Sequence, residues 1–171
     1  HNTFYASGQA PFNESFAMFV GARGAAAFFR SRGQAAAAAR LDAEWEDDKL
    51  LARFWAGVIR TLDSAYAAHS ENKAARIAAR DTVYARTRVA LVEQIAPQLK
   101  TINPRYAERV PLNNAALLAR RVYASDLDVF DLVYEREGRD LKRAIGRVIS
   151  LAKANPKAPF AGLRSWVGKS P

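Results

Sequence analysis

From about Gln34 to His69 the large apolar residues Trp45, Leu51, Phe54, Trp55, Val58, Leu62 and Tyr66 fall mostly three or four positions apart. That spacing gathers side chains on one face of an α-helix and leaves no room for the period of two that a strand needs. A second stretch of the same kind follows, with Ile77, Val83, Tyr84, Leu91, Val92 and Ile95. It predicts a helix from about Asn72 to Leu99, shortened near its end by Pro97. Two long amphipathic helices joined by a short polar turn can bury their stripes only against each other or against more helices. They are expected to pack as an antiparallel hairpin.

The remaining segments read the same way. Residues 1–12 are loop-like, broken by Ser7, Gly8 and Pro11. A helix is expected from Asn13, a good N-cap residue, to Arg32, with Gly33 at the position just past its end. Gly21 and Gly24 interrupt it at about 1 kcal/mol each relative to alanine, a cost that often accompanies close approach of another backbone. Asn103-Pro104 and Pro111 bound an irregular segment, and shorter helices follow over 113–123, 127–137 and 139–154, with one more turn around Leu163 and Trp166. Abundant alanine and few β-branched residues favour helix throughout. The expectation is a single all-α domain over 1–171, with no repeat and no heptad array. Its core should join Phe16, Phe28, Trp55, Leu62, Tyr84 and Leu91.

Composition narrows the chemistry. There is no cysteine, so disulfides, thiolate metal sites and cysteine nucleophiles are excluded. No apolar run has the length of a bilayer span. The net charge of +9, from 26 Lys plus Arg against 17 Asp plus Glu, permits binding to nucleic acid or an anionic surface. On that reading the chain is a non-enzymatic basic helical module acting through Arg76, Arg80, Arg86, Arg120, Arg121 and Arg143. The basic residues are scattered, however, with no helix-turn-helix signature, aromatic-basic interleaving or glycine-rich recognition loop. Nucleic acid is therefore not the expected partner.

Few polar residues have the look of a site. His1 and Glu14 flank a short loop, and Glu14 sits in the first turn of the expected helix. A histidine ending one helix and a glutamate opening an antiparallel one could meet at a zinc ion. Equally, a first-turn glutamate is favourable for the helix dipole alone, and a terminal histidine can be a tag remnant. Asn113 and Asn114 precede a helix and serve either as N-caps or as amides facing a substrate. Tyr106 and Tyr123 could stabilise an oxyanion, though core packing is the expected role of each. His69 is read as surface. Glu44, Glu46, Asp47 and Asp48 are read as a solvated acidic face, since the glycine and spacing of a calcium loop are missing.

The segments His1-Asn2-Thr3-Phe4-Tyr5, Ala10-Pro11-Phe12-Asn13-Glu14-Ser15-Phe16-Ala17 and Phe19-Val20-Gly21, with a second block Pro111-Leu112-Asn113-Asn114-Ala115, closely resemble a family of predicted bacterial aminopeptidases. These are zinc metallopeptidases of the HExxH type, and the resemblance covers essentially all of the chain. It implies that His1 is the second histidine of that motif and that Glu14 supplies the third protein ligand to zinc. It further implies a peptide substrate and an exported, often lipid-anchored envelope protein of zincin-like fold. On this alignment the chain is the C-terminal portion of a larger catalytic unit. The first histidine and the general-base glutamate belong to an N-terminal part that is absent. The chain alone is then expected to be inactive, to bind zinc weakly at most, and to self-associate through apolar surface that the absent part would cover. Family members carry a histidine soon after the asparagine pair, where Ala116 stands in this sequence.

Overall fold

The computed structural model describes residues 3–123 and 125–168. Among them every regular element is helical: α1 Ala10–Ser31, α2 Ala35–Ala68, α3 Lys73–Ala90, α4 Tyr106–Arg109, α5 Asn114–Val122, α6 Leu127–Arg136, α7 Leu141–Ala154 and α8 Pro159–Val167. The fold is all-α, as the periodicity requires. None of these helices is long and apolar enough to cross a membrane.

Local chemistry explains most of the boundaries. Gly33 lies at φ +70° just beyond α1, a conformation open to glycine without Cβ conflict. Asn72 caps α3 by accepting the Ala75 N–H at 2.9 Å, and Asp140 caps α7 by accepting that of Arg143 at 3.0 Å. Past Ala90 the helical ladder loosens into a π turn, Leu91–Ile95, and a 3-10 turn, Ala96–Gln98. Pro97 has no N–H with which to continue it.

The start of α1 differs from expectation. The helix opens at Ala10 with Pro11 in its first turn, where the missing N–H costs nothing. Asn13 is consequently not a cap. It lies inside the helix, 3% exposed, and its amide is used for another purpose described below.

α2, 34 residues and about 50 Å long, is the spine. Its first half packs on α1 and α6, which together with α7 and α8 enclose Phe12, Phe16, Phe19, Trp45, Phe130, Val133, Val148 and Leu163. Its second half packs on α3 and the 106–117 region around Trp55, Val58, Leu62, Val83, Leu91 and Leu117. There are thus two apolar clusters where one continuous core was expected. Phe16 belongs to the first, while Trp55, Leu62 and Leu91 belong to the second. Phe28 belongs to neither and is 55% exposed. It stands on the opposite side of α1 from Phe12, Phe19 and Ala26, with its ring against Phe29 and under the Arg32 guanidinium.

The acidic run on α2 is also not a uniformly solvated face. Asp47 is 2% exposed. Its carboxylate accepts the Lys100 N–H at 2.8 Å and both the N–H and the hydroxyl of Thr101 at 2.7 Å. Burial by itself would raise its pKa, but these donors outweigh it and hold the carboxyl below its ordinary value. Asp48 is half-buried, and this partial burial together with the charges of Asp47 and Glu44 pushes its pKa the other way. Asp47 therefore pins the chain as it leaves α3. The segment beyond, read as irregular, contains the single turn of α4.

The helix at the end is longer than the single turn expected. α8 runs for nine residues, and Gly162 within it lies so close to Asn155 that a Cβ would meet that side chain at 2.5–3.0 Å.

Candidate functional site

The run Phe12-Asn13-Glu14-Ser15-Phe16 occupies the beginning of α1, and Phe12, Asn13, Ser15 and Phe16 pack or bond within the fold. Phe12 and Phe16 point into the first core, with ring centroids 5.7 and 5.9 Å from Phe130. Asn13 clamps the incoming chain, its amide donating to the Ala6 carbonyl and its oxygen accepting the Ala6 N–H, each at 2.8 Å. The Ser15 hydroxyl, wholly buried, accepts the Ser125 N–H at 2.8 Å and so ties α1 to the segment entering α6. Sequence reasoning missed both of these roles. A polar residue flanked by core aromatics at helical spacing was the signal for them.

Glu14 is the remaining member and is only half-buried. A helical step of 100° per residue puts it on the side of α1 away from Phe12, Phe16 and Phe19. Gly21 and Phe28 continue that side at intervals of seven residues. A Cβ added at Gly21 or Gly24 would meet nothing within 4 Å, so no backbone among the described residues approaches these glycines. Among the described residues, no neighbouring backbone covers that side of α1 at Gly21 and Gly24. Gly21 also borders a cavity of about 320 Å³, lined with it by Thr3, Phe4, Asn13, Ile145 and Ile149.

The other sequence candidates lie elsewhere. His1 is outside the described residues. Asn113 is the N-cap of α5, its side chain accepting the Ala116 N–H at 2.8 Å. The Asn114 side-chain oxygen accepts the hydroxyls of Tyr66 at 2.9 Å and Tyr84 at 2.6 Å, an arrangement the sequence did not disclose. Burial, with Tyr66 alongside, raises the Tyr84 pKa, which keeps this phenol a donor. Tyr66 stands about 21 Å along α2 from Ala52, the level at which the first turn of α1 sits. The asparagine pair and Glu14 are therefore not drawn into one cleft. Tyr106 packs against the second core as expected, whereas Tyr123 is 54% exposed and does not. His69 is an exposed residue at the end of α2.

Glutamate oxygen and imidazole nitrogen are donors that zinc accepts. Among the described residues, however, no three His, Asp or Glu side chains gather as a metal site would require. Glu14 is one donor, and the described residues do not complete a set around it.

Much of the basic excess is used inside the fold. Arg23 and Lys49 meet Asp131, Arg88 donates to the Ala107 and Val110 carbonyls, and Arg136 donates to the Trp166 carbonyl.

These features define an all-α protein whose conspicuous sequence run lays a half-buried glutamate on the side of α1 away from the aromatic core. The family model described as Putative aminopeptidase matches residues 1–162, and the chain belongs to that family. No curated protein and no solved structure matches it.

Proposed function

We propose that the protein is the C-terminal portion of a zinc-dependent, aminopeptidase-like peptide hydrolase of zincin-like fold, in which Glu14 and His1 are two of three protein ligands to the metal. The observation that carries this reading is the match to the aminopeptidase family over residues 1–162. The resemblance of His1 and the Phe-Asn-Glu-Ser-Phe run to an HExxH-type site supplies the roles. When bound, zinc would polarise a peptide carbonyl and activate water. The chain's own residues prepare the place. Asn13 fixes the segment that follows His1 against α1, and the core side chains on either side of Glu14 hold its position on the helix.

The side of α1 that carries Glu14, Gly21 and Phe28 supports the same reading. A preceding helix that ends at His1 would pack there, covering apolar surface and meeting small residues that allow close approach. That helix would bring the first histidine and the general-base glutamate of the motif, so residues 1–171 alone would have no peptidase activity. With the face uncovered, they would tend to self-associate. Of the asparagine pair, Asn113 is occupied as a cap. The Asn114 amide nitrogen remains for a substrate long enough to run along α2.

The test is zinc content and peptide turnover of the protein with its upstream sequence restored. The expected result is one zinc per chain and zinc-dependent release of amino-terminal residues. A metal-free, inactive protein would reject the proposal.

A further inference from the structure

Between the first turn of α1, the middle of α2, the end of α5 and the N-terminal ends of α6 and α8 lies a cavity of about 430 Å³. Its apolar wall is Pro11, Ala52, Ala56, Ile59 and Phe160. Four guanidinium groups stand around it, Arg60, Arg120, Arg121 and Arg164, with Asp126 as the single carboxylate in the lining. Two of the four are already matched. Arg164 pairs with Asp126, and Arg121 binds both oxygens of Asp63 at 2.7 Å. Arg120 pairs with no carboxylate among the described residues; it lies over the Trp55 ring at 4.2 Å and donates to the Ala116 carbonyl. Arg60 makes no side-chain hydrogen bond or ion pair among the described residues. The cavity thus combines an apolar wall with two guanidinium groups that form no ion pair among the described residues.

We infer that this cavity binds an organic carboxylate carried on a short apolar stem, with Arg60 and Arg120 as the groups that recognise it. Guanidinium is the cation best shaped to take a carboxylate through paired N–H donors. Apolar contact below and a few charged groups above is the usual make-up of a small-ligand site of this volume. Pro11 lies three residues before Glu14, so the cavity opens within a turn of that carboxylate. Resting on the peptidase reading, the inference names the substrate class: short peptides with a carboxylate a few ångströms from the amino end. That group is either the C-terminus of a di- or tripeptide or an acidic side chain.

The experiment is a zinc-free titration of residues 1–171, followed through the arginine side-chain N–H signals and the Ile59 and Ser125 amides by NMR. The probes are acetyl-Leu-Leu with a free carboxylate, the same peptide as its amide, acetyl-Leu-Glu amide, and inorganic phosphate. The free carboxylate should bind about tenfold more tightly than its amide, and Arg60→Gln, which removes an exposed and unpaired group, should abolish the difference. Comparable binding of acetyl-Leu-Glu amide identifies an acidic side chain as the source, and its absence identifies the peptide C-terminus. Equal affinity for acid and amide, an Arg60→Gln protein that binds as the parent does, or phosphate binding as tightly as the peptide would each overturn the proposal. Because no metal takes part, the titration fails or succeeds independently of the zinc reading.

Discussion

Lys49 on α2 donates to Asp131 on α6 at 2.6 Å, with both side chains nearly shut off from solvent. The same carboxylate accepts from Arg23 on α1 at 2.7 Å and from the Trp45 indole at 2.9 Å. Three helices therefore converge on one acid. Burial alone would raise the Asp131 pKa, but Lys49, Arg23 and Trp45 outweigh it and keep the carboxyl below its ordinary value of 3.8. Lys49 is shifted in the matching sense. Burial opposes its charge, yet the bonds to Asp131 and Glu46 raise its pKa.

Asp131→Asn should cost about 2 to 4 kcal/mol, because it removes the carboxylate that Lys49 and Arg23 share and leaves them only Glu46 and Asp42. Chemical denaturation would measure it. The pH dependence follows from the direction of the shift. A carboxyl whose folded pKa is depressed contributes stability above its unfolded pKa and loses it as pH falls through the folded value. Asp47 behaves alike. Stability should therefore hold from neutral pH down to about 4 and fall below that. Asp131→Asn should flatten the acid limb, and an unchanged acid profile would contradict this account.

Asp47→Ala should release the chain after α3. Removing a charged acceptor from the Lys100 and Thr101 amides costs about 2 to 4 kcal/mol. The local sign is faster hydrogen exchange at those amides with little change in α7 and α8. Protection retained there would mean that the carboxylate does not pin the segment.

The helices were largely legible because their evidence is local. Three-to-four spacing, Asn72 and Asn113 before helices and Gly33 after one each act within a few residues. What the sequence did not yield depends on partners far along the chain. Nothing near Asp47 announces Thr101, and nothing near Ser15 announces Ser125, so from sequence Asp47 reads as solvated and the bond between Ser125 and Ser15 is not visible. The three-to-four spacing of apolar residues brings Phe28 into the expected core, but its angle on α1 puts it on the side away from Phe12 and Phe19. The candidate site was legible only as a resemblance. The spacing of His1 and Glu14 carries little information by itself.

Gly162→Ala should destabilise by about 1 to 3 kcal/mol, since its methyl group would overlap Asn155, whose amide is bonded to the Leu151 carbonyl. Gly21→Ala is the informative contrast. In residues 1–171 its methyl group meets open space, so it should stabilise by about 0.5 to 1 kcal/mol through helix propensity. With the upstream sequence restored, a helix packed on that face should cancel or reverse the gain. The same stabilisation in both forms would mean that the face stays open.

The last prediction concerns Glu14. Its side chain lies outside the aromatic core, and because α1 opens at Ala10 rather than Asn13, Glu14 stands beyond the first turn, where the helix dipole adds little. Glu14→Gln in the protein with its upstream sequence restored should keep the fold of the metal-free form while losing most of its zinc. The loss in affinity should far exceed the loss in metal-free stability, because glutamine is a much weaker ligand than carboxylate. Zinc content after dialysis and thermal melting with and without chelator separate these effects. The parent's melting temperature should fall on chelation, and that of Glu14→Gln should not. Residues 1–171 supply the complementary case, in which added zinc should give no turnover on aminoacyl and peptide substrates. A free amino-terminal histidine can chelate weakly through its amine and ring, so turnover is the sharper readout there. Full zinc in Glu14→Gln, or turnover by residues 1–171 at the rate of the extended protein, would place the catalytic groups elsewhere and end the assignment of His1 and Glu14.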